Sequence, residues 1–271
     1  MKTILITGAT DGIGLETAKK LVSMGYHLII HGRSEEKLAR AKSALLAVDG
    51  SVKVDAILAD LSDFTAISGF VTAIKNQFSS LDVIINNAGI FKTPMPETPS
   101  GLDVRFVVNT IAPYIISKAL LPILTDEGRV VNLSSAAQAP IDLSVMSGEI
   151  KLNDEFQLYA QSKLALTIWS QEMAKTLTQG QVMVAVNPGS LLASKMVKEG
   201  FGMAGNDLSI GVDVLVRAAL SEEFAEASGK YFDNDIKQFA APHPDAQNPN
   251  ICAQVLAVVE GISQSQLTGE I

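Results

Sequence analysis

Cysteine is nearly missing from this sequence: Cys252 stands alone in 271 residues. A single thiol excludes an internal disulfide. Histidine is scarce too, with His27, His31 and His243 scattered along the chain. That leaves no cluster at metal-ligand spacing, so no metal is expected and the histidines are assigned to packing or surface positions. Basic residues are outnumbered, 21 Lys and Arg against 29 Asp and Glu, and the net charge of −8 argues against a nucleic-acid partner. No uninterrupted apolar run reaches ~18 residues, so no membrane span is expected. There is no repeat, low-complexity tract or linker-like stretch, which leaves one domain over residues 1–271. A first strand from about residue 3 leaves no room for a signal peptide, and the expected location is cytoplasmic.

Hydrophobic residues make up 47% of the chain, enough for a sizeable core. The stretch that organises the rest is Ile4-Leu5-Ile6-Thr7-Gly8-Ala9-Thr10-Asp11-Gly12-Ile13-Gly14. A short apolar strand precedes the glycines. Leu15, Ala18, Leu21 and Val22 follow at amphipathic-helix spacing. Backbone N–H groups and the helix dipole make such a strand–turn–helix a seat for an anion. Gly8 permits the sharp turn, Gly12 lets a pyrophosphate approach, and Gly14 lets the helix pack on the strand. Thr10, Asp11 and Ile13 lie among these glycines and are expected to border a dinucleotide.

Strand and helix signals then alternate. Leu28–Ile30, Val52–Ala59, Asp82–Ile85, Val130–Leu133 and Val182–Val186 read as strands. Helices are expected after Ser34, over Asp63–Phe78, Leu102–Leu124 and Glu155–Leu177. This order predicts an α/β fold with a doubly wound parallel sheet, a Rossmann fold. Beyond it, Ser209–Leu220 reads as a helix, Lys230–Phe232 as a last strand and Asn250–Ile262 as a terminal helix. Two long connections, about 136–154 and 190–207, leave carboxyl ends of strands, where ligands bind in such sheets.

Strand two ends in His31-Gly32-Arg33-Ser34, with no acid to hold a ribose 2′-hydroxyl. Arg33 suits a 2′-phosphate through charge-assisted hydrogen bonds, with Ser34 beside it. NADP(H) is therefore expected ahead of NAD(H). Tyr159 and Lys163 stand four apart on one helix face. A free tyrosine has a pKa near ~10. An ammonium at ~4 Å with an effective dielectric of ~20 contributes about 4 kcal/mol, or roughly three pK units. Lys163 and a positively charged nicotinamide together are expected to bring Tyr159 towards the working pH, where a proton donor acts best.

The Gly-x-x-x-Gly-x-Gly loop, the Asn86-Asn87-Ala88-Gly89 strand end and Tyr159-Ala160-Gln161-Ser162-Lys163 resemble the short-chain dehydrogenase/reductase family over about residues 3 to 195. The Tyr159–Ala165 stretch is similar to the retinol-dehydrogenase-like and carbonyl-reductase branch. The resemblance implies an oxidoreductase interconverting an alcohol and an aldehyde or ketone, with a small carbonyl or alcohol as partner and a homo-oligomer as one compatible assembly. It implies Asp60 and Leu61 beside the adenine, Asn87, Ala88 and Gly89 along the cofactor, and Pro188 and Gly189 beside the nicotinamide. Tyr159 would be the proton donor, with Tyr159 and Lys163 also touching the cofactor. Ser135 aligns with the catalytic serine, with Ser134 as the alternative, and Asn109 with an asparagine that positions a water. Ser135 and Tyr159 are further apart than in many members. Ile141, Leu143, Val145 and Met146 in one long loop, and Leu191, Leu192, Met196, Val197, Phe201 and Met203 in the other, suit an apolar substrate, with packing into the domain body as the competing assignment. A sugar-nucleotide epimerase also uses Tyr-x-x-x-Lys, but the glycine spacing is less like that branch. The alternative of another class is a non-catalytic NADP(H)-sensing protein of the same fold.

Overall fold

The apolar N-terminal stretch folds as β1 (Thr3–Ile6), and the glycine turn opens α1 (Gly12–Ser23), in a computed structural model that describes residues 1–193 and 205–267. Alternation continues with β2 (His27–Gly32), α2 (Glu35–Val48), β3 (Val54–Leu58), α3 (Phe64–Gln77) and β4 (Leu81–Asn86). Side-chain caps set where the helices begin. Asp11, Ser34 and Asp63 each accept a first-turn backbone N–H, of α1, α2 and α3 respectively.

The expected single helix over Leu102–Leu124 is broken. It comprises α4 (Val104–Phe106), a π-helical segment (Val107–Ile111) and α5 (Ala112–Leu120), closed by a 3₁₀ turn at Leu121–Ile123. Asn109 in the π turn bonds the Ile90 backbone and Ser162, contacts that hydrophobic periodicity does not report. β5 (Leu124–Leu133) starts earlier than expected, directly after the turn that contains Pro122. The stretch Val104–Ile123 has a mean hydropathy of 1.5, long and apolar enough to cross a membrane, but 72% of it is buried within the fold. Arg105, Asn109, Thr110, Ser117 and Lys118 interrupt it, so no single apolar run in it is long.

The first long connection carries a short α6 (Leu143–Met146). Then follow α7 (Glu155–Ala174), β6 (Val182–Asn187), α8 (Leu208–Leu220), β7 (Tyr231–Asp233), β8 (Gln238–Ala240) and α9 (Pro249–Gln266). The eight strands form one sheet in the order β3-β2-β1-β4-β5-β6-β7-β8. All pairs are parallel except β7 with β8. The expected doubly wound α/β fold is present. Its antiparallel edge strand β8 is too short to have shown in the sequence pattern. Of the second long connection, Met196, Val197, Phe201 and Met203 lie outside the described residues.

Strand alternation divides the core between two layers. Ile4 and Ile6 of β1 point to one face, with Leu21 of α1 and Leu215 of α8. Leu5 points to the other, with Phe70 of α3 and Trp169 of α7. Burial of each such side chain stabilises by about 1.5–3 kcal/mol. A polar line crosses the second face. Asn86 Nδ2 donates to Asn132 Oδ1 at 2.7 Å and to Ser117 Oγ at 2.9 Å, and Asn132 Nδ2 donates to Ser170 Oγ at 2.9 Å. The strand order reverses at β1, between β2 and β4, which opens a crevice at their carboxyl ends.

Candidate active site

The crevice is a cleft of about 620 Å³ running from α2 to α7. Its floor is the glycine loop. Gly8 and Gly12 hold φ values of +66° and +54°, a region that disfavours any side chain. A Cβ at Gly8 would stand 2.8 Å from Ala88 Cα, and one at Gly14 would stand 2.4 Å from both Asn87 Nδ2 and the Gly8 carbonyl. Asn87 explains this crowding. Its Nδ2 donates to the carbonyls of Thr7 and Gly8, both at 2.9 Å. Thr7 Oγ1 in turn accepts the backbone N–H groups of Asn87 and Ala88, each at 3.1 Å. Asp11 accepts the Gly12 N–H at 2.8 Å. Thr10 and Ile13 line the cleft beside them.

At the β2 end, Arg33, Ser34 and Lys37 line the cleft, and the Ser34 hydroxyl accepts the Lys37 N–H. Arg33 and Lys37 are exposed, and among the described residues neither forms an ion pair, whereas Glu36 is turned to Arg40. Asp60 and Leu61 also border the cleft, with Asp60 accepting from the backbone and hydroxyl of Ser62. This donor set fits a phosphorylated dinucleotide: a cradle that a Cβ would fill, a helix N-terminus and two free cations.

His31, expected at a packing or surface position, is buried under the glycine loop. Its Nδ1 accepts the Gly8 N–H at 3.1 Å and its Nε2 lies 3.0 Å from the Ala59 carbonyl. Burial lowers its pKa from 6.5 to about 4, although the Ala59 carbonyl and Asp60 oppose the shift. The sequence signal for His31 and Lys37 was their place at and just beyond the end of β2.

At the far end, α7 presents Tyr159 and Lys163. Lys163 Nζ donates to the Leu133 carbonyl at 2.8 Å and lies 5.7 Å from the centre of the Tyr159 ring. A Cβ at Gly89 would come within 3.5 Å of Lys163 Nζ and 3.4 Å of Asn109 Oδ1, so the β4 end, the π segment and α7 converge here. Burial lowers the Lys163 pKa from 10.5 to about 8. Burial raises that of Tyr159 above the ordinary tyrosine value, partly opposed by the Ser135 hydroxyl. For the protein alone, removal of the phenol from water is the largest effect on Tyr159; the expected lowering called on Lys163 together with a positively charged nicotinamide. The Phe91 ring packs against Tyr159, centroid to centroid 5.1 Å.

The two candidate serines differ in place. Ser134 is buried, its hydroxyl 2.6 Å from Thr167 Oγ1, which ties β5 to α7. Ser135 is half-buried, accepts the Ala137 N–H through Oγ at 3.0 Å and carries the hydroxyl that acts on Tyr159. Asn109 has its amide fully engaged. Oδ1 accepts the Ile90 N–H at 2.8 Å, and Nδ2 donates to the Ile90 carbonyl and Ser162 Oγ, both at 2.9 Å. Pro188 borders the cleft and its carbonyl accepts from Asn234 at 2.9 Å, while Gly189 follows at φ +122°.

The proposed apolar linings divide. Val145, Met146 and Leu192 pack into the body of the domain, Leu192 over Gly211. Ile141 and Leu143 are only partly buried. Tyr231 and Gln138, which no motif or spacing in the sequence marks, both donate to the Ser135 carbonyl.

A cleft that ends at Tyr159, Lys163 and Ser134, with Ser135 beside Tyr159, on a doubly wound sheet defines a dehydrogenase-type Rossmann protein. Residues 2–204 match the short chain dehydrogenase family, and the chain belongs to that family, in its retinol-dehydrogenase-like branch. It is 29% identical to retinol dehydrogenase 13 of Homo sapiens, over 94% of this chain and 82% of that protein. A solved protein of uncharacterised function from Mycobacterium paratuberculosis shares the fold with a TM-score of 0.80 at 25% identity, covering 97% of this chain and 94% of its own. A short chain dehydrogenase from Escherichia coli CFT073, solved with NADPH, gives a TM-score of 0.70 at 26% identity, covering 86% of this chain and 96% of its own.

Proposed function

We propose that the chain is an NADP(H)-dependent oxidoreductase that interconverts an apolar alcohol with its aldehyde or ketone. The observation that carries this reading is the meeting of Ser135 and Lys163 around Tyr159, where Tyr159, Lys163 and Ser134 line the end of the cleft that starts at the glycine loop. The loop amides and the N-terminus of α1 would hold the pyrophosphate. Arg33, Ser34 and Lys37 would hold the 2′-phosphate, Asp60 and Leu61 the adenine end, and the Asn87–Gly89 turn with Lys163, Pro188 and Gly189 the nicotinamide end. NADPH would supply the hydride for carbonyl reduction and NADP⁺ would accept it in alcohol oxidation, the oxidised form also bringing a positive charge that favours the Tyr159 phenolate.

Tyr159 gives a proton to the substrate oxygen or takes one from it. Ser135 Oγ already accepts the Ala137 N–H, so its own O–H is left to donate to that oxygen. Lys163 keeps a cation beside the phenol. Asn109 locks the β4 turn to the π segment. The half-buried Ile141 and Leu143, and the retinol named for the human relative, favour an apolar substrate. The NADPH-bound neighbour and the unpaired Arg33 favour NADP(H) over NAD(H).

The test is NADPH oxidation with all-trans-retinal and a series of aliphatic and aromatic aldehydes and ketones, beside NADPH titration. Turnover should rise with the apolar character of the carbonyl. Tight NADPH binding with no turnover across the series would replace this reading by the non-catalytic sensor.

A further inference from the structure

Ser135 is held from outside the nucleotide cleft. Its backbone carbonyl receives the Tyr231 hydroxyl at 3.1 Å and Gln138 Nε2 at 3.0 Å. The other end of the Gln138 amide is engaged as well: Oε1 accepts the backbone N–H of His243 at 2.8 Å. Two residues further on, Asp245 accepts the Ile141 N–H at 3.2 Å. The segment between β8 and α9 thus grips the loop that follows the serine at two points. Tyr231 stands on a firm base, buried in β7 and paired with Ala185 of β6 on one side and Ala240 of β8 on the other.

We propose that Tyr231 and Gln138 are positioning residues for the Ser135 hydroxyl, and that the segment carrying His243 and Asp245 braces them. The proposal rests on the reading that Ser135 acts on the substrate oxygen. Two donors on one carbonyl fix the peptide plane after Ser135. The Ala137 N–H occupies Oγ as an acceptor, which leaves the serine O–H to donate on the side where it meets Tyr159 and the substrate oxygen would lie. Misplacing a catalytic group by ~1 Å can cost about 10²-fold in rate. Burial, Asp233 and Asp235 push the Tyr231 pKa upward, which keeps its hydroxyl a proton donor. Gln138 cannot be replaced by Glu without loss, because the carboxylate has no N–H for the Ser135 carbonyl. The C-terminal part of the chain therefore serves the chemistry without touching substrate.

The experiment compares Tyr231→Phe and Gln138→Met, each made in the wild type and in Ser135→Ala. The readouts are kcat and KM for a responsive carbonyl, and the Kd of NADPH. Tyr231→Phe keeps the ring and its packing, so folding is preserved. Each single change should lower kcat roughly three- to tenfold, the scale of one lost hydrogen bond, with NADPH Kd unchanged. In the Ser135→Ala background neither change should lower kcat further. Normal kcat in both single variants, or the same fold loss in the Ser135→Ala background, would overturn the proposal. Unchanged turnover in Ser135→Ala would overturn the underlying reading and the proposal together, so the two failures are distinguishable.

Discussion

His31 and Gly8 are joined through the imidazole: Nδ1 accepts the Gly8 N–H at 3.1 Å, while Nε2 faces the Ala59 carbonyl at 3.0 Å. One tautomer, with its proton on Nε2, satisfies both contacts, and the imidazolium cannot, because it has no acceptor for Gly8. The first amide of the glycine turn is thereby held from inside the protein, and the loop is tied to the end of β3.

This arrangement makes stability depend on pH. The His31 pKa is about 4 in the native protein, against an ordinary value of 6.5. Between those values the unfolded chain binds a proton that the native protein refuses, so stability falls as pH drops from 6.5 through 4. The linked loss is about 3 kcal/mol at most. His31→Gln should flatten this part of the curve while lowering stability at neutral pH. Urea unfolding of both proteins across the interval checks it, and parallel curves would refute it.

Cofactor choice is predicted to turn on Arg33. Arg33→Ala should weaken NADPH roughly ten- to hundredfold and leave NADH nearly unchanged, since a hydrogen bond to a charged group contributes about 1.5–3 kcal/mol. Lys37→Ala should act in the same direction. Fluorescence titration with both cofactors decides, and equal losses for NADPH and NADH would remove Arg33 from the phosphate site.

At Gly14 the crowding by Asn87 and the Gly8 carbonyl leaves no room for a methyl group. Gly14→Ala should destabilise the protein by about 1–3 kcal/mol and weaken NADPH at least tenfold, because the new Cβ displaces the amide that holds the loop. Thermal unfolding and NADPH titration measure the two effects. Normal NADPH affinity would show that Asn87 can move without disturbing the loop.

For the chemistry, Tyr159→Phe removes one hydroxyl and should lower turnover by ~10²–10⁴-fold with NADPH binding retained. Lys163→Met should reduce both turnover and cofactor affinity. Ser135→Ala should lower turnover at constant NADPH affinity. Ser134→Ala should instead lower stability, because its hydroxyl is committed to Thr167. Steady-state rates paired with titrations separate these outcomes. Near-normal turnover in Tyr159→Phe would end the mechanism.

Much of the architecture was legible because apolar spacing and helix caps act locally. Ile4 to Ile6, the glycine turn and Ser34 announce their elements within a few residues. The π turn was not legible, since it depends on Asn109 reaching Ile90, 19 positions away. Nor was β8, whose three residues carry no usable period. Among the candidate site residues, those at strand ends showed clearly. Tyr231 and Gln138 did not, because their contacts with Ser135 depend on sheet order rather than on spacing. The burial that raises the Tyr159 pKa was not legible either, because spacing reports a nearby lysine but not the packing around the phenol.

The polar line through Asn86, Asn132 and Ser170 bears on how the strands find their partners. Asn86 of β4 lies directly opposite Asn132 of β5. A parallel slip of two residues would keep every apolar side chain on its own face, and hydrophobic pattern alone would tolerate it. It would also set Asn86 against Val130 and break the Asn86–Asn132 hydrogen bond, leaving the buried Asn132 Oδ1 without its donor, at about 1–3 kcal/mol. The amides therefore act as a key for alignment: they penalise the mispairing that the surrounding valines and isoleucines cannot distinguish from the native one.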